Sequence, residues 1–152
     1  MATTSFIYHM LGLEHYRHLK TEFKNGAVYH HVKRKADERY CAGCSARWPK
    51  LKMNGSFERI FYALPVGKTH QYVVLHGHEQ NCGECGRTLR EPIPFAKGSR
   101  QRLKCFDRYV VELCQIAPIK HVAHFLSIGW DTVKEIFKEH LEHRFQKRKL
   151  GK

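Results

Sequence analysis

Residues 119–137 read IKHVAHFLSIGWDTVKEIF, and this stretch predicts two short helices that cross at a tight turn. Ala123, Ser127 and Val133 stand at relative positions 0, +4 and +10. Helix-turn-helix units carry a small residue where the helices cross, a glycine in the turn and a Val or Ile packing back at those positions. Leu126, Ile128 and Ile136 supply the surrounding apolar contacts. Ser127 replaces the usual glycine, so either the turn relaxes or Gly129 takes the left-handed conformation instead.

The same period extends in both directions. Ile119, Val122, Ala123 and Leu126 mark one short helix, and Val133, Ile136, Phe137 and Leu141 mark another over Thr132–Leu141. Upstream, Leu103, Phe106, Val110, Leu113 and Ala117 recur at spacings of three and four, with Ser99 as the expected N-cap and Pro118 as the break. The C-terminal part therefore reads as a three-helix domain over 95–143, followed by a basic tail over 144–152. On the exposed side of the last helix fall Trp130, Asp131, Thr132, Lys134, Glu135 and Lys138. The N-terminal end of such a helix enters the DNA major groove, where lysines reach phosphates or guanine edges and Thr132 meets a base edge or phosphate. Lys97, Arg100, Arg102 and Lys104 add a neighbouring basic stretch. A plain three-helix bundle with a solvated polar face and Trp130 as packing is the competing reading.

The first 94 residues follow a different rule. Asn25-Gly26 joins the runs Tyr16–Phe23 and Ala27–Val32, and this dipeptide favours a type I′ hairpin because both central residues need positive φ. A second hairpin-like pair, Ser56–Leu64 and His70–His78, is separated by Pro65-Val66-Gly67. Pro92-Ile93-Pro94 ends the strands and marks the expected domain boundary.

Flanking the second hairpin are two Cys-x-x-Cys pairs, Cys41/Cys44 and Cys82/Cys85, which the strands would bring to one end of a small sheet. Two residues between cysteines let one knuckle supply two thiolates, and four thiolates complete a tetrahedral zinc shell. Gly43, Gly83 and Gly86 provide the conformational freedom and close backbone approach a knuckle needs. One structural Zn2+ is the expected cofactor, and closed ligation leaves no position for a reacting water. A redox dithiol and a disulfide are the alternatives at the cysteines. His30, His31, His70, His76 and His78 are read as surface strand residues that could replace a cysteine. Cys105 and Cys114 read as ordinary helix residues.

The predicted fold class is thus α+β, a β-rich, four-cysteine, zinc-ribbon-like module over 1–94 followed by the helix-turn-helix domain. The formal net charge is +13, more than the roughly 2–8 of a small soluble domain, which points to a polyanionic partner. Residues 1–92 carry 14 basic and 8 acidic side chains and residues 93–152 carry 13 and 6, so both halves are expected to touch nucleic acid. No apolar run approaches the roughly 20 residues of a membrane span, and the N-terminus lacks a signal-peptide pattern, so a cytoplasmic, nucleoid-associated protein is expected.

The order of these pieces resembles the N-terminal part of ISL-three family insertion-sequence transposases. The resemblance rests on Tyr8-His9-Met10-Leu11-Gly12-Leu13, the first Cys-x-x-Cys, a β segment leading to Leu64-Pro65, the second Cys-x-x-Cys-Gly, and Val122-Ala123 through Trp130-Asp131-Thr132-Val133-Lys134. It implies a zinc finger and helix-turn-helix that recognise terminal inverted repeats in double-stranded DNA, with Cys41, Cys44, Cys82 and Cys85 as zinc ligands. The family's catalytic domain of the RNase H type would follow Lys152, so no catalytic residue and no enzymatic activity are expected here. A dimer, or association with a full-length transposase, is the further partner expectation. A standalone transcription regulator and a zinc-ribbon protein-interaction module are the alternative functions.

Overall fold

The computed structural model describes residues 2–47 and 49–146. The chain divides into two compact units, Met1–Cys105 and Phe106–Lys152.

The first unit is built on a five-stranded sheet. It begins with a helix, α1 (Ala2–Leu11), that no capping or periodic motif in the sequence marks. Ile7 and Leu11, one helical turn apart, are buried with Leu13, and Gly12 ends the helix at φ 66°. The hairpin forms as expected from β1 (Tyr16–Lys24) and β2 (Ala27–Arg34), with Asn25 and Gly26 at φ 52° and 72°. A 3₁₀ turn at Ala36–Glu38 leads into the first cysteine knuckle. Strands β3 (Leu51–Tyr62) and β4 (Gln71–Cys82) form the second antiparallel pair, and both are longer than the sequence pattern indicates. A short β5 (Thr88–Arg90) pairs with the far end of β4.

The strand order is β1-β2-β4-β3, and the two hairpins fuse through a parallel pairing of β2 with β4 over Val28–Val32 and Gln71–Leu75. One face is the core. Val32, Phe61, Val73 and Leu75 are fully enclosed, with Phe95 packed edge-on against Phe61 and Tyr16. Gly77 sits where a Cβ would lie 2.3 Å from the Phe57 ring, so the aromatic ring crosses the sheet only because that side chain is missing.

Strand pairing on β4 ends at Arg90, just ahead of Pro92-Ile93-Pro94, but the chain beyond the prolines stays tied to the sheet. Arg34 donates to the Pro92 carbonyl and the Tyr16 hydroxyl, both at 2.8 Å. Leu103 N–H donates to Tyr62 O at 2.9 Å and Lys104 N–H to Phe95 O at 2.8 Å. Those bonds hold 95–103 out of a helix, so α2 (Lys104–Ile116) starts at Lys104 and Ser99 is not its N-cap. The Ser99 carbonyl instead accepts from Arg59 Nη2 at 2.9 Å.

The second unit holds most of α2, then α3 (Ile119–Leu126) and α4 (Trp130–Phe145). Phe106, Val110, Val122, Ala123, Leu126, Val133 and Ile136 are buried at the helical spacings read from the sequence. Helix α4 runs past Leu141 to Phe145, and residues 147–152 of the basic tail lie outside the described residues. The overall class is α+β. Among the described residues no helix is long and apolar enough to cross a membrane.

Candidate metal centre and nucleic-acid interface

The register Leu51↔Cys82 places the end of β4 beside the start of β3, and thus Cys82 beside the chain leaving the first knuckle. Each knuckle is closed by the same two backbone bonds. Cys41 N–H donates to Ala46 O at 2.8 Å and Ser45 N–H to Cys41 O at 3.0 Å; Cys82 N–H donates to Arg87 O at 3.0 Å and Gly86 N–H to Cys82 O at 2.9 Å. The equivalent residues Ser45 and Gly86 take positive φ, 61° and 66°. Gly43 and Gly83 do not. Gly43 serves instead for close approach. Its N–H donates to Cys41 Sγ at 3.3 Å, and a Cβ there would meet Leu89 at 3.1 Å.

All four sulfurs lie within 4.8 Å of one another, with Cys41–Cys85 at 3.7 Å and Cys44–Cys82 at 3.5 Å. A tetrahedron with metal–sulfur bonds of about 2.3 Å has edges of about 3.8 Å, so the set is already close to the size a metal requires. The group can bind a metal ion. Backbone N–H groups at Cys44 and Gly43 hold the Cys41 thiol down at about 7, and those at Cys85 and Glu84 lower Cys82. Cys44 accepts from the Ala46 N–H, but the Cys82 thiol and burial outweigh that bond and push it up to about 12. The sulfurs thus share protons that a cation would displace. Lys50 pairs with Glu84 across the two knuckles, and Leu51, Ala46 and Leu89 close the apolar side.

The histidines stand elsewhere. Among the described residues the metal-ligating group contains cysteines alone. His30 and His31 are buried rather than on the surface, His30 against Gln71 at 3.3 Å and His31 against His76 at 2.8 Å.

In the second unit, α3 ends at Ser127, whose φ 53° and ψ 40° are left-handed. Ser127 N–H bonds His124 O at 3.2 Å and Ile128 N–H bonds Ala123 O at 3.1 Å, a Schellman closure made without glycine. Gly129 is extended, at φ −62° and ψ 138°, and caps α4 by accepting from Thr132 and Val133 N–H. The left-handed position is thus the serine and not the glycine. Ala123 and Val133 are buried where the helices cross.

Residues 91–141 match the family model described as the helix-turn-helix domain of transposase family ISL3. The match spans 51 of the 152 residues. Searches of curated proteins and of solved structures returned no match. The match supports a DNA-binding, transposase-related function for this helix-turn-helix segment.

Along α4 of the ISL3 domain, Trp130, Asp131, Lys134, Glu135 and Lys138 are exposed, and Thr132 is half-buried. Lys134 Nζ sits 4.8 Å from the Trp130 ring centroid, and Lys138 reaches Glu142 at 3.8 Å. Phe125, 59% exposed on α3, stands outside the residues expected from the sequence to face DNA. The available signal was its position off the apolar stripe, between buried Ala123 and Leu126. Lys97 and Lys104 are exposed and Arg100 and Arg102 half-buried, and all four belong to the first compact unit.

Proposed function

We propose that this chain is the DNA-recognition portion of an ISL3-type transposase, binding terminal inverted repeats in double-stranded DNA through α4. The observation that carries the reading is the left-handed turn at Ser127 between two buried crossing residues, inside a segment of ISL3 helix-turn-helix type. The exposed N-terminal turn of α4 then offers Trp130, Asp131 and Thr132 to base edges, with Lys134, Glu135 and Lys138 further along the same helix. The Trp130 ring holds the Lys134 ammonium over its face, which restricts the lysine before DNA arrives. Lys97, Arg100, Arg102 and Lys104 serve as phosphate-binding cations. A chain with this task works at the bacterial nucleoid.

The metal in this reading is one structural Zn2+ held by Cys41, Cys44, Cys82 and Cys85. Four thiolates at tetrahedral spacing fit it, and the backbone N–H groups directed at Cys41 and Cys82 stabilise sulfur in its charged form. Bound zinc would supply cross-linking of two knuckles 38 to 44 residues apart in sequence, with no open coordination position. In this reading the described residues serve recognition, and four-thiolate ligation gives the metal a structural role.

The test is selection of bound sequences from a random duplex pool by the zinc-loaded protein near physiological salt, where non-specific phosphate binding is suppressed. Enrichment of one motif of about 10 base pairs or longer, present at the ends of a mobile element, is expected. A palindromic motif would add self-association to the reading. Recovery of no sequence would overturn it.

A further inference from the structure

One face of the sheet in the first unit carries the main core, and the other carries exposed Ile60 and Tyr62 beside buried His31 and Val74. Phe6 of α1 meets His30, and Phe95 meets Tyr16 and Phe61, all on the packed side. Directly paired residues in a sheet share a face. The register Tyr29↔Tyr72 and Tyr62↔Tyr72 therefore sets three tyrosines in one row across β2, β4 and β3 on the opposite side. Tyr29 and Tyr72 stack at 4.9 Å between centroids and 15°, and Tyr62 continues the row at 5.1 Å from Tyr72, tilted by 52°. Tyr62 is the exposed end of the stack, at 37%.

Beyond Tyr62 the row gains a cation. The segment after the prolines adds to the edge of β3, with Tyr62 N–H donating to Gln101 O and Leu103 N–H to Tyr62 O, both at 2.9 Å. The resulting parallel bridge pairs Arg102 with Tyr62 and brings a residue of the basic stretch to the end of the tyrosine row. Lys20, opposite His31, and Lys33, opposite Arg17, lie on the same face. Two carboxylates there are already met by cations or imidazoles: Glu22 by Lys20 and His31, and Glu58 by His76 at 3.5 Å. The face therefore presents an aromatic stack with surplus positive charge, the combination that holds unpaired bases and their phosphates.

We propose that this sheet face binds single-stranded DNA at its Tyr62 end, a base continuing the tyrosine stack on Tyr62 while Arg102 and the lysines of the face meet its phosphates. A duplex cannot make the stacking contact, because its bases are already stacked on each other. The site lies wholly within residues 1–105, so it stands or falls separately from duplex recognition by α4.

The test uses the full zinc-loaded chain and a labelled oligo(dT) of about 16 nucleotides, read by fluorescence anisotropy. Tyr62→Ala should weaken binding about 10-fold and Tyr62→Phe should retain it, because the ring and not the hydroxyl stacks. Arg102→Ala should weaken binding and reduce the slope of log K against log salt by about 0.7. Lys134→Ala should leave oligo(dT) affinity unchanged while weakening duplex binding. With the unaltered chain, a bromodeoxyuridine-substituted strand should photocrosslink to Tyr62 or a neighbouring residue of this face. Crosslinks confined to 106–146, a folded Tyr62→Ala that binds as wild type, or self-association through Tyr62 without oligo(dT) binding would each overturn the proposal.

Discussion

The cysteine end of the sheet and the helical unit reach order by different routes. At the cysteine end, partners lie far apart in sequence, and the two knuckles meet only because β3 and β4 pair from Tyr62↔Tyr72 to Leu51↔Cys82, with one register shift between Met53 and Gly55. In the helical unit, the contacts follow from a local period, and Val122, Val133 and Ile136 bury themselves with no cross-link. With a metal bound, the first region would rest on one tetrahedral group, whereas the second distributes its stability over many apolar contacts.

The sharpest way to break this contrast is Cys82→Ser. With zinc as the ion, losing one thiolate removes most of an apparent binding energy of roughly 10–16 kcal/mol. Metal stoichiometry should fall from one to none and amide protection should collapse in β3 and β4, while the helices over 106–145 stay protected in hydrogen exchange. Equal loss of protection in both units would show that they do not differ in the way described.

Within the sheet, Gly77→Ala should cost about 1–3 kcal/mol, because the added Cβ at 2.3 Å forces the Phe57 ring out of place. Denaturant titration gives the value, and an unchanged midpoint would mean the ring moves freely. In the helical unit the opposite sign is expected from Ser127→Gly. Removing the left-handed strain of a side-chain-bearing residue should stabilise the unit by about 1 kcal/mol and raise its melting temperature by a few degrees.

The smallest expected effect concerns acid. Burial holds the His30 imidazole below the usual histidine value, and His18 pushes in the same direction against the Gln71 hydrogen bond. The unfolded chain then binds the proton first, at a pH of about 6.5, so the contribution of neutral His30 is present above that value and is lost as pH falls through the lower, folded one. His30→Gln should therefore show a smaller drop in melting temperature than wild type between about pH 7.5 and pH 5.5. Identical drops would assign the acid sensitivity to other groups.

The sequence by itself determined the pieces whose chemistry is local. Asn25-Gly26 sets a hairpin because its φ values are those a type I′ turn needs, Cys-x-x-Cys builds a knuckle from six residues, and the 3.6-residue period around 119–137 places the helix crossing. What only the tertiary structure decided depends on residues distant in the chain. The parallel pairing of β2 with β4 leaves no mark in either strand, because alternation fixes which face a residue takes and not which neighbour it meets. Helix α2 begins at Lys104 and not Ser99 because backbone bonds to Tyr62 and Phe95 claim the preceding residues. Ser127 and not Gly129 turns left-handed because the burial of Ala123 and Val133 fixes where α3 must stop, and packing of that kind outweighs about 1–2 kcal/mol of backbone strain.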